Sequence, residues 1–134
     1  MADRFDKFTE RGRQALLAAQ WEAIARSQNY VGTEHLLLGL LRQADSTASK
    51  AIAGLGIHLE QIQQAASVRP EAGPQPGSAQ IGLSPRAKRV IELAVVETMQ
   101  MKHPYTGTEH ILLGLVLEEG GIGGQILRSL GITM

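Results

Sequence analysis

The chain has 134 residues, 43% of them hydrophobic and only 4% aromatic, with thirteen basic and thirteen acidic residues and no cysteine. Zero formal net charge argues against general nucleic-acid binding, which needs a basic surplus to displace counterions. The missing cysteines exclude a disulfide framework or a cysteine metal site, and the scarcity of aromatics requires a core of Leu, Ile, Val, Ala and Met.

The start, "MADRFDKFTERGR", has no apolar signal segment, and the apolar runs are too short to span a bilayer, so a cytoplasmic protein without membrane contact is expected. From Thr9, an expected N-cap, a helix is predicted to about Ser27. Ala15, Leu16, Ala19 and Ala23 mark its buried face. "YVGTEHLLLGLL" (30–41) follows, with Thr33 read as the cap of a second helix to about Gln43. A third is predicted over about Thr47–Gly54, closed by "GLGI", and "HLEQIQQAASV" reads as a fourth. "RPEAGPQPGSAQIGL" (69–83), with three prolines and three glycines, reads as a surface linker.

The same order then returns. Ser84, followed by Pro85 at the first helical position, caps a helix predicted to about Met101 with Val90, Ile91, Ala94 and Thr98 inward. "YTGTEHILLGLV" (105–116) repeats the earlier phrase, with Thr108 as cap of a helix to about Glu119, and a third helix spans about Gly121–Leu130. Shifted by 75 residues, 8–57 align with 83–132 without a gap, and about 15 of 50 pairs are identical. No strand pattern stands out. The expected fold is all-α: one domain over 1–134, a tandem pseudo-two-fold repeat of a roughly four-helix unit. Repeat one spans 8–68, the linker 69–83 and repeat two 84–134, which stops at "GITM" where its fourth helix should begin. The chain therefore reads as a fragment one helix short.

A leucine-only core would not need the repeated Gly-Thr-Glu-His lead-in. Glu34 and Glu109 lie where an acidic side chain is favoured by the positive helix end, and a carboxylate left accessible there can take a guanidinium in bidentate fashion. The helix starts at Thr9 and Ser84 can hold an anion such as phosphate. A carboxylate beside an anion-binding helix end suits a group with both charges, such as phosphoarginine. Arg86, Lys88 or Arg89 in "PRAKR" is a candidate to help hold phosphate, although such runs are commonly solvated helix faces. His35 and His110 read as hydrogen-bonded structural residues, because adjacent Glu and His point about 100° apart on a helix. No metal site is expected, and His58 and His103 have no assignable partners. Trp21 aligns with Val96 and is expected to be half-buried. "EGGIGG" (119–124) lacks the lysine and preceding strand of a phosphate loop, so no nucleotide site is expected.

"RFDKFTERGRQAL", "LSPRAKRVIELA" and the two Gly-Thr-Glu-His phrases together resemble the N-terminal domain of the ClpC class of Clp/Hsp100 AAA+ unfoldases, over essentially the whole chain. The resemblance implies a non-catalytic, monomeric domain that receives unfolded or tagged protein substrates and adaptor proteins for the ATPase modules of a parent chain, which feeds a ClpP-type protease. ATP would serve only that parent, so no cofactor is expected here. It further implies phosphoarginine recognition by Glu34 and Glu109 with Thr9 and Ser84, Thr33 and Thr108 being possible contributors. Phe5 and Phe8, with Leu83 in place of a phenylalanine, match a surface that takes cyclic-peptide antibiotics in related domains. Gly123 and Gly124 depart from the family's alanines, so the third helices are expected to be less stable. The alternatives are a free-standing relative acting as a decoy or accessory subunit, a small hydrolase using Glu34 and Glu109, and a structural duplication without ligand. No nucleophile–base pair supports the hydrolase.

Overall fold

The computed structural model describes residues 7–28, 30–67, 82–118 and 120–132. Repeat one supplies α1 (Glu10–Ala25), β1 (Tyr30–Val31), α2 (Thr33–Leu41), α3 (Thr47–Gly54) and α4 (Leu59–Ser67). Repeat two supplies β2 (Gly82–Leu83), α5 (Pro85–Gln100), α6 (Thr108–Leu117) and α7 (Ile122–Ser129). The architecture is all-α, as expected, and no helix among the described residues is long and apolar enough to cross a membrane.

Local chemistry sets the helix ends. Thr9 accepts from the Gly12 amide at 3.0 Å and Ser84 from the Ala87 amide at 3.1 Å, so both cap as expected. Gly56 and Gly131, at φ +80° and +91°, adopt the left-handed conformation that ends α3 and α7. Thr33 and Thr108 do not cap their own helices: Gly32 and Gly107 are the N-caps, and each threonine is the first helical residue.

Each first helix lies against the second helix of its own repeat at a glycine. A Cβ on Gly39 would run into the Ala15 carbonyl and sit 2.7 Å from the Ala19 nitrogen. Gly114 makes the same close approach to Val90. Ala15, Ala19 and Ala23, with Val90, Ile91 and Ala94, form the faces so buried. The leucines of α2 and Ile111 and Leu115 of α6 belong to one core shared by both repeats.

The repeats also interlock. Helix α7 packs on α2 of the other repeat as well as on α6, and α3 packs on α6 as well as on α2. The threonines complete the exchange: Thr33 accepts from the Gly123 amide at the start of α7 (2.8 Å), and Thr108 from the Ala48 amide at the start of α3 (3.3 Å). Gly123 and Gly124 therefore answer to close packing: added Cβ atoms would lie 2.7 Å from the Thr33 carbonyl oxygen and from the Glu118 and Leu115 carbonyl oxygens, respectively. An alanine at either position would force these backbone atoms to shift.

Two features had no signal in the sequence. β1 and β2 form a parallel pair only two residues long, with Tyr30 opposite Gly82 and Val31 opposite Leu83. Phe8 and Thr106 form an equivalent single bridge. Both are too short to show a periodicity of two, yet they determine which helix starts become neighbours.

Candidate functional site

The strand pairs cross the repeats. Ser84 donates its amide to the Val31 carbonyl at 2.9 Å, which places the start of α5 beside the start of α2 and hence Ser84 near Glu34. Thr9 donates to the Thr106 carbonyl at 2.8 Å, and Thr106 to Lys7 at 2.8 Å, which places the start of α1 beside the start of α6 and hence Thr9 near Glu109. Each capped helix start thus lies beside the glutamate-bearing helix start of the opposite repeat.

Within Gly-Thr-Glu-His, three of the four residues have structural duties. The glycine is the N-cap, the threonine reaches the other repeat's third helix, and the histidine, at N3, turns back to the cap. Gly32 donates to His35 Nδ1 at 2.9 Å, and Gly107 to His110 Nδ1 at 2.8 Å. This is the return half of a capping box with imidazole in place of the usual carboxylate or amide. Glu109 lies over its own cap: a Cβ on Gly107 would fall 2.6 Å from Glu109 Oε1, so glycine there makes room for the carboxylate.

The two glutamates were expected at equivalent exposed places, and the structure differs. Glu109 is half-buried, but Glu34 is only 2% exposed. The tighter cross-repeat closure, Thr33 on Gly123, lies on Glu34's side of the molecule, next to it in sequence. The caps differ in the same sense, Thr9 being half-buried and Ser84 buried. Charge runs the other way. Helix α5 opens with Arg86, Lys88 and Arg89, whereas α1 opens with Glu10, Arg11 and Arg13. Arg13 bonds Glu10 at 2.8 Å and, with Gln14, holds the Glu10 carboxyl below the usual range. Arg86 is bonded to Glu118 at 3.1 Å, Arg89 pairs with Glu92 at 3.6 Å, and Lys88 is exposed.

Lys88 instead lines a cavity of about 310 Å³ with Phe8, Ile91, Glu92 and Val95. Phe8 forms its buried wall, so it offers an edge of a cavity and not an open surface. Leu83, half-buried in β2, is Phe8's equivalent in the repeat, so the two belong to separate places. Phe5 lies outside the described residues. Ile91, Glu92 and Val95 escaped sequence reasoning because their α5 positions read simply as inner or outer faces of an amphipathic helix.

Trp21 is 69% exposed and not half-buried, and with Leu17 and Ile24 it forms an apolar stripe on α1. A half-buried site was inferred from Val96, but Val96 is itself 43% exposed. His103 also gains a partner: its Nδ1 lies 2.8 Å from His110 Nε2. Burial lowers the His110 pKa, and His103 adds to that, while Glu109 and Glu97 oppose it.

Comparison with known proteins agrees with this fold. The Clp repeat (R) N-terminal domain model matches residues 7–130. The chain belongs to the Clp repeat N-terminal domain family. It is 44% identical over 130 residues to the negative regulator of genetic competence ClpC/MecB of Bacillus subtilis, and 42% identical over 130 residues to the chaperone protein ClpB of Oceanobacillus iheyensis. Each alignment covers 97% of this chain but 16% of the relative, so the chain spans about one-sixth of their length. Among solved structures, the N-terminal domain of the caseinolytic protease associated chaperone ClpD from Arabidopsis thaliana matches with TM-score 0.77 and 34% identity, over 96% of this chain and 90% of that one. The Hsp104 N-terminal domain from Candida albicans shares the fold, with TM-score 0.76 at 18% identity over 96% of this chain and 84% of that one.

Proposed function

We propose that this Clp N-domain is the non-catalytic substrate- and adaptor-receiving part of a cytoplasmic ClpC-like unfoldase that feeds a ClpP-type protease. Its ligand on tagged proteins is a group joining a guanidinium to a phosphate, with phosphoarginine the simplest example. The observation that carries this reading is the crossed pairing of helix starts. A glutamate in the first turn of one helix stands beside the hydroxyl-capped, amide-rich start of another, once through the Phe8–Thr106 bridge and once through β1–β2. A guanidinium on the carboxylate and a phosphate on the helix end would use both.

The two places are unequal in this proposal. Thr9 and Glu109 form the open site. Ser84 and Glu34 form a more enclosed one, whose basic helix start favours the phosphate but whose carboxylate must be uncovered. Thr33 and Thr108 act on the fold, and Arg86 must leave Glu118 before it could assist.

Calorimetric titration with phosphoarginine tests the reading. Glu109→Gln should weaken the main binding event at least about tenfold, as expected for loss of a charge-assisted pair worth about 1.5–3 kcal/mol. Glu34→Gln should have the smaller effect. Free arginine and phosphoserine should each bind worse than phosphoarginine. Unchanged affinity in the Glu34→Gln, Glu109→Gln double variant would overturn the proposal.

A further inference from the structure

His103, Glu109 and His110 bring their nitrogen and carboxylate oxygen atoms within 4.8 Å of one another, a grouping that invites a metal ion. The proton inventory points elsewhere. The Gly107 amide can only donate, so His110 Nδ1 is an acceptor and the neutral ring carries its hydrogen on Nε2. That hydrogen is directed at His103 Nδ1, 2.8 Å away, which must therefore accept, leaving the His103 hydrogen on its own Nε2. The row Gly107 N–H, His110 Nε2–H, His103 Nε2–H is the one arrangement of neutral rings that satisfies both contacts. For His110 Nε2 to bind a metal, the ring would have to become imidazolate or give up the cap of α6.

The same row makes the cluster sensitive to protons. His103 is exposed, in the turn after α5, while His110 is buried and its Nδ1 is committed to the cap. A proton arriving at the pair must go to His103 Nδ1, and two N–H groups would then face each other across 2.8 Å. The imidazolium has to turn away from His110, and the half-exposed Glu109 carboxylate is within reach. The other charge acting on His110 is Glu97 of α5, and Lys102 precedes His103 in the turn. In repeat one the position equivalent to His103 is Gln28, which cannot titrate.

We infer that His103 is a proton-operated gate on the Glu109 site: neutral, it is hydrogen-bonded to His110 and leaves the carboxylate to a cationic ligand; protonated, it pairs with Glu109 and competes with that ligand. The inference rests on the proposed cation-binding role of Glu109, and it assigns pH regulation to one of the two sites only.

The test joins nitrogen-15 NMR of the imidazoles to ligand titration, both on the 134-residue chain. At about pH 8, His103 and His110 should both show the Nε2–H form, and on acidification through the histidine range His103 should charge first, with loss of its coupling to His110. Glu109→Gln should lower the pH at which His103 charges. Phosphoarginine, checked intact by phosphorus NMR, should bind wild type about fivefold more weakly at about pH 6 than at about pH 8 beyond any loss seen in His103→Gln, in keeping with one partly exposed ion pair. The ligand's own titration is common to both proteins and cancels. A protonated Nδ1 on neutral His110, or equal pH slopes in wild type and His103→Gln, would overturn the gate. If phosphoarginine binds at neither pH while His103 still answers to Glu109→Gln, the gate stands and the ligand assignment falls.

Discussion

Thr33→Ala separates a cross-repeat clamp from an ordinary helix cap. Thr33 is the first residue of α2, yet its hydroxyl accepts from Gly123, the second residue of α7, at 2.8 Å in a buried setting. The N-cap of α7 is Gly121, which has no side chain to perform this task, so the hydroxyl from the other repeat takes it over. Removing it strands a buried amide, at about 1–3 kcal/mol, a range that includes the loss of an N-cap. For a chain of this size each kcal/mol lowers Tm by roughly 3–5 °C, so a fall of about 3–15 °C is expected. Thr108→Ala should cost less, because the bond to Ala48 is longer (3.3 Å) and α3 keeps its own cap, Ser46 on the Ser49 amide. Hydrogen exchange supplies the decisive location: Thr33→Ala should deprotect Gly123 and the amides that follow in α7, ninety positions away, more than those of α2. Deprotection confined to the first turn of α2, or a larger loss in Thr108→Ala, would refute the clamp.

Two further outcomes follow from packing and titration. Gly39→Ala should destabilise by about 1–3 kcal/mol despite the better helix propensity of alanine, since its Cβ meets backbone atoms of α1, whereas Gly54→Ala, whose Cβ meets nothing within 4 Å, should stabilise by up to about 1 kcal/mol; thermal denaturation of the pair decides, and equal signs would contradict the close approach. Burial holds the His110 pKa below its unfolded value, so the unfolded chain binds the extra proton first and stability must fall as pH drops from the ordinary histidine range toward the folded pKa. Denaturant unfolding between about pH 8 and about pH 5 should show that fall reduced in His110→Gln, which can still accept from the Gly107 amide; an unchanged slope would show that His110 does not carry it.

The helices were legible because their signals are local. Ser84-Pro85 announces a start, Gly56 and Gly131 announce ends, and the alanines of α1 repeat at helical spacing, so most boundaries fall within a few residues of expectation. What could not be read was relational. Thr33 satisfies the usual rule for a cap so well that local reasoning assigns it to its own helix; only the packing of α7 on α2 shows where the hydroxyl goes. Glu34 and Glu109 are identical in local sequence and differ in exposure, and the segments beside them are not identical: Gly121 and Gly123 lie against Thr33, whereas Ala48 lies against Thr108. The His103–His110 pair joins residues seven apart across a turn at Lys102, whose φ of 59° is unusual for a side-chain-bearing residue and carries no sequence mark.

Duplication explains why the proposed binding site is split between repeats. A single unit has a capped helix start and a glutamate-bearing helix start, but the residues before its own two helices do not pair with each other. They pair with their counterparts in the other unit, through Phe8–Thr106 and through β1–β2. Neither Thr9 with Glu109 nor Ser84 with Glu34 can therefore exist until the second unit has docked. The hydroxyl clamps lie in the residues just before these same glutamates, so the contact that joins the units acts on the helix turns that carry them. If both proposed sites bind, either can drift while the other preserves function. That freedom fits a chain in which one carboxylate is enclosed beside Thr33 and the other has acquired a histidine neighbour that its counterpart, with Gln28, lacks.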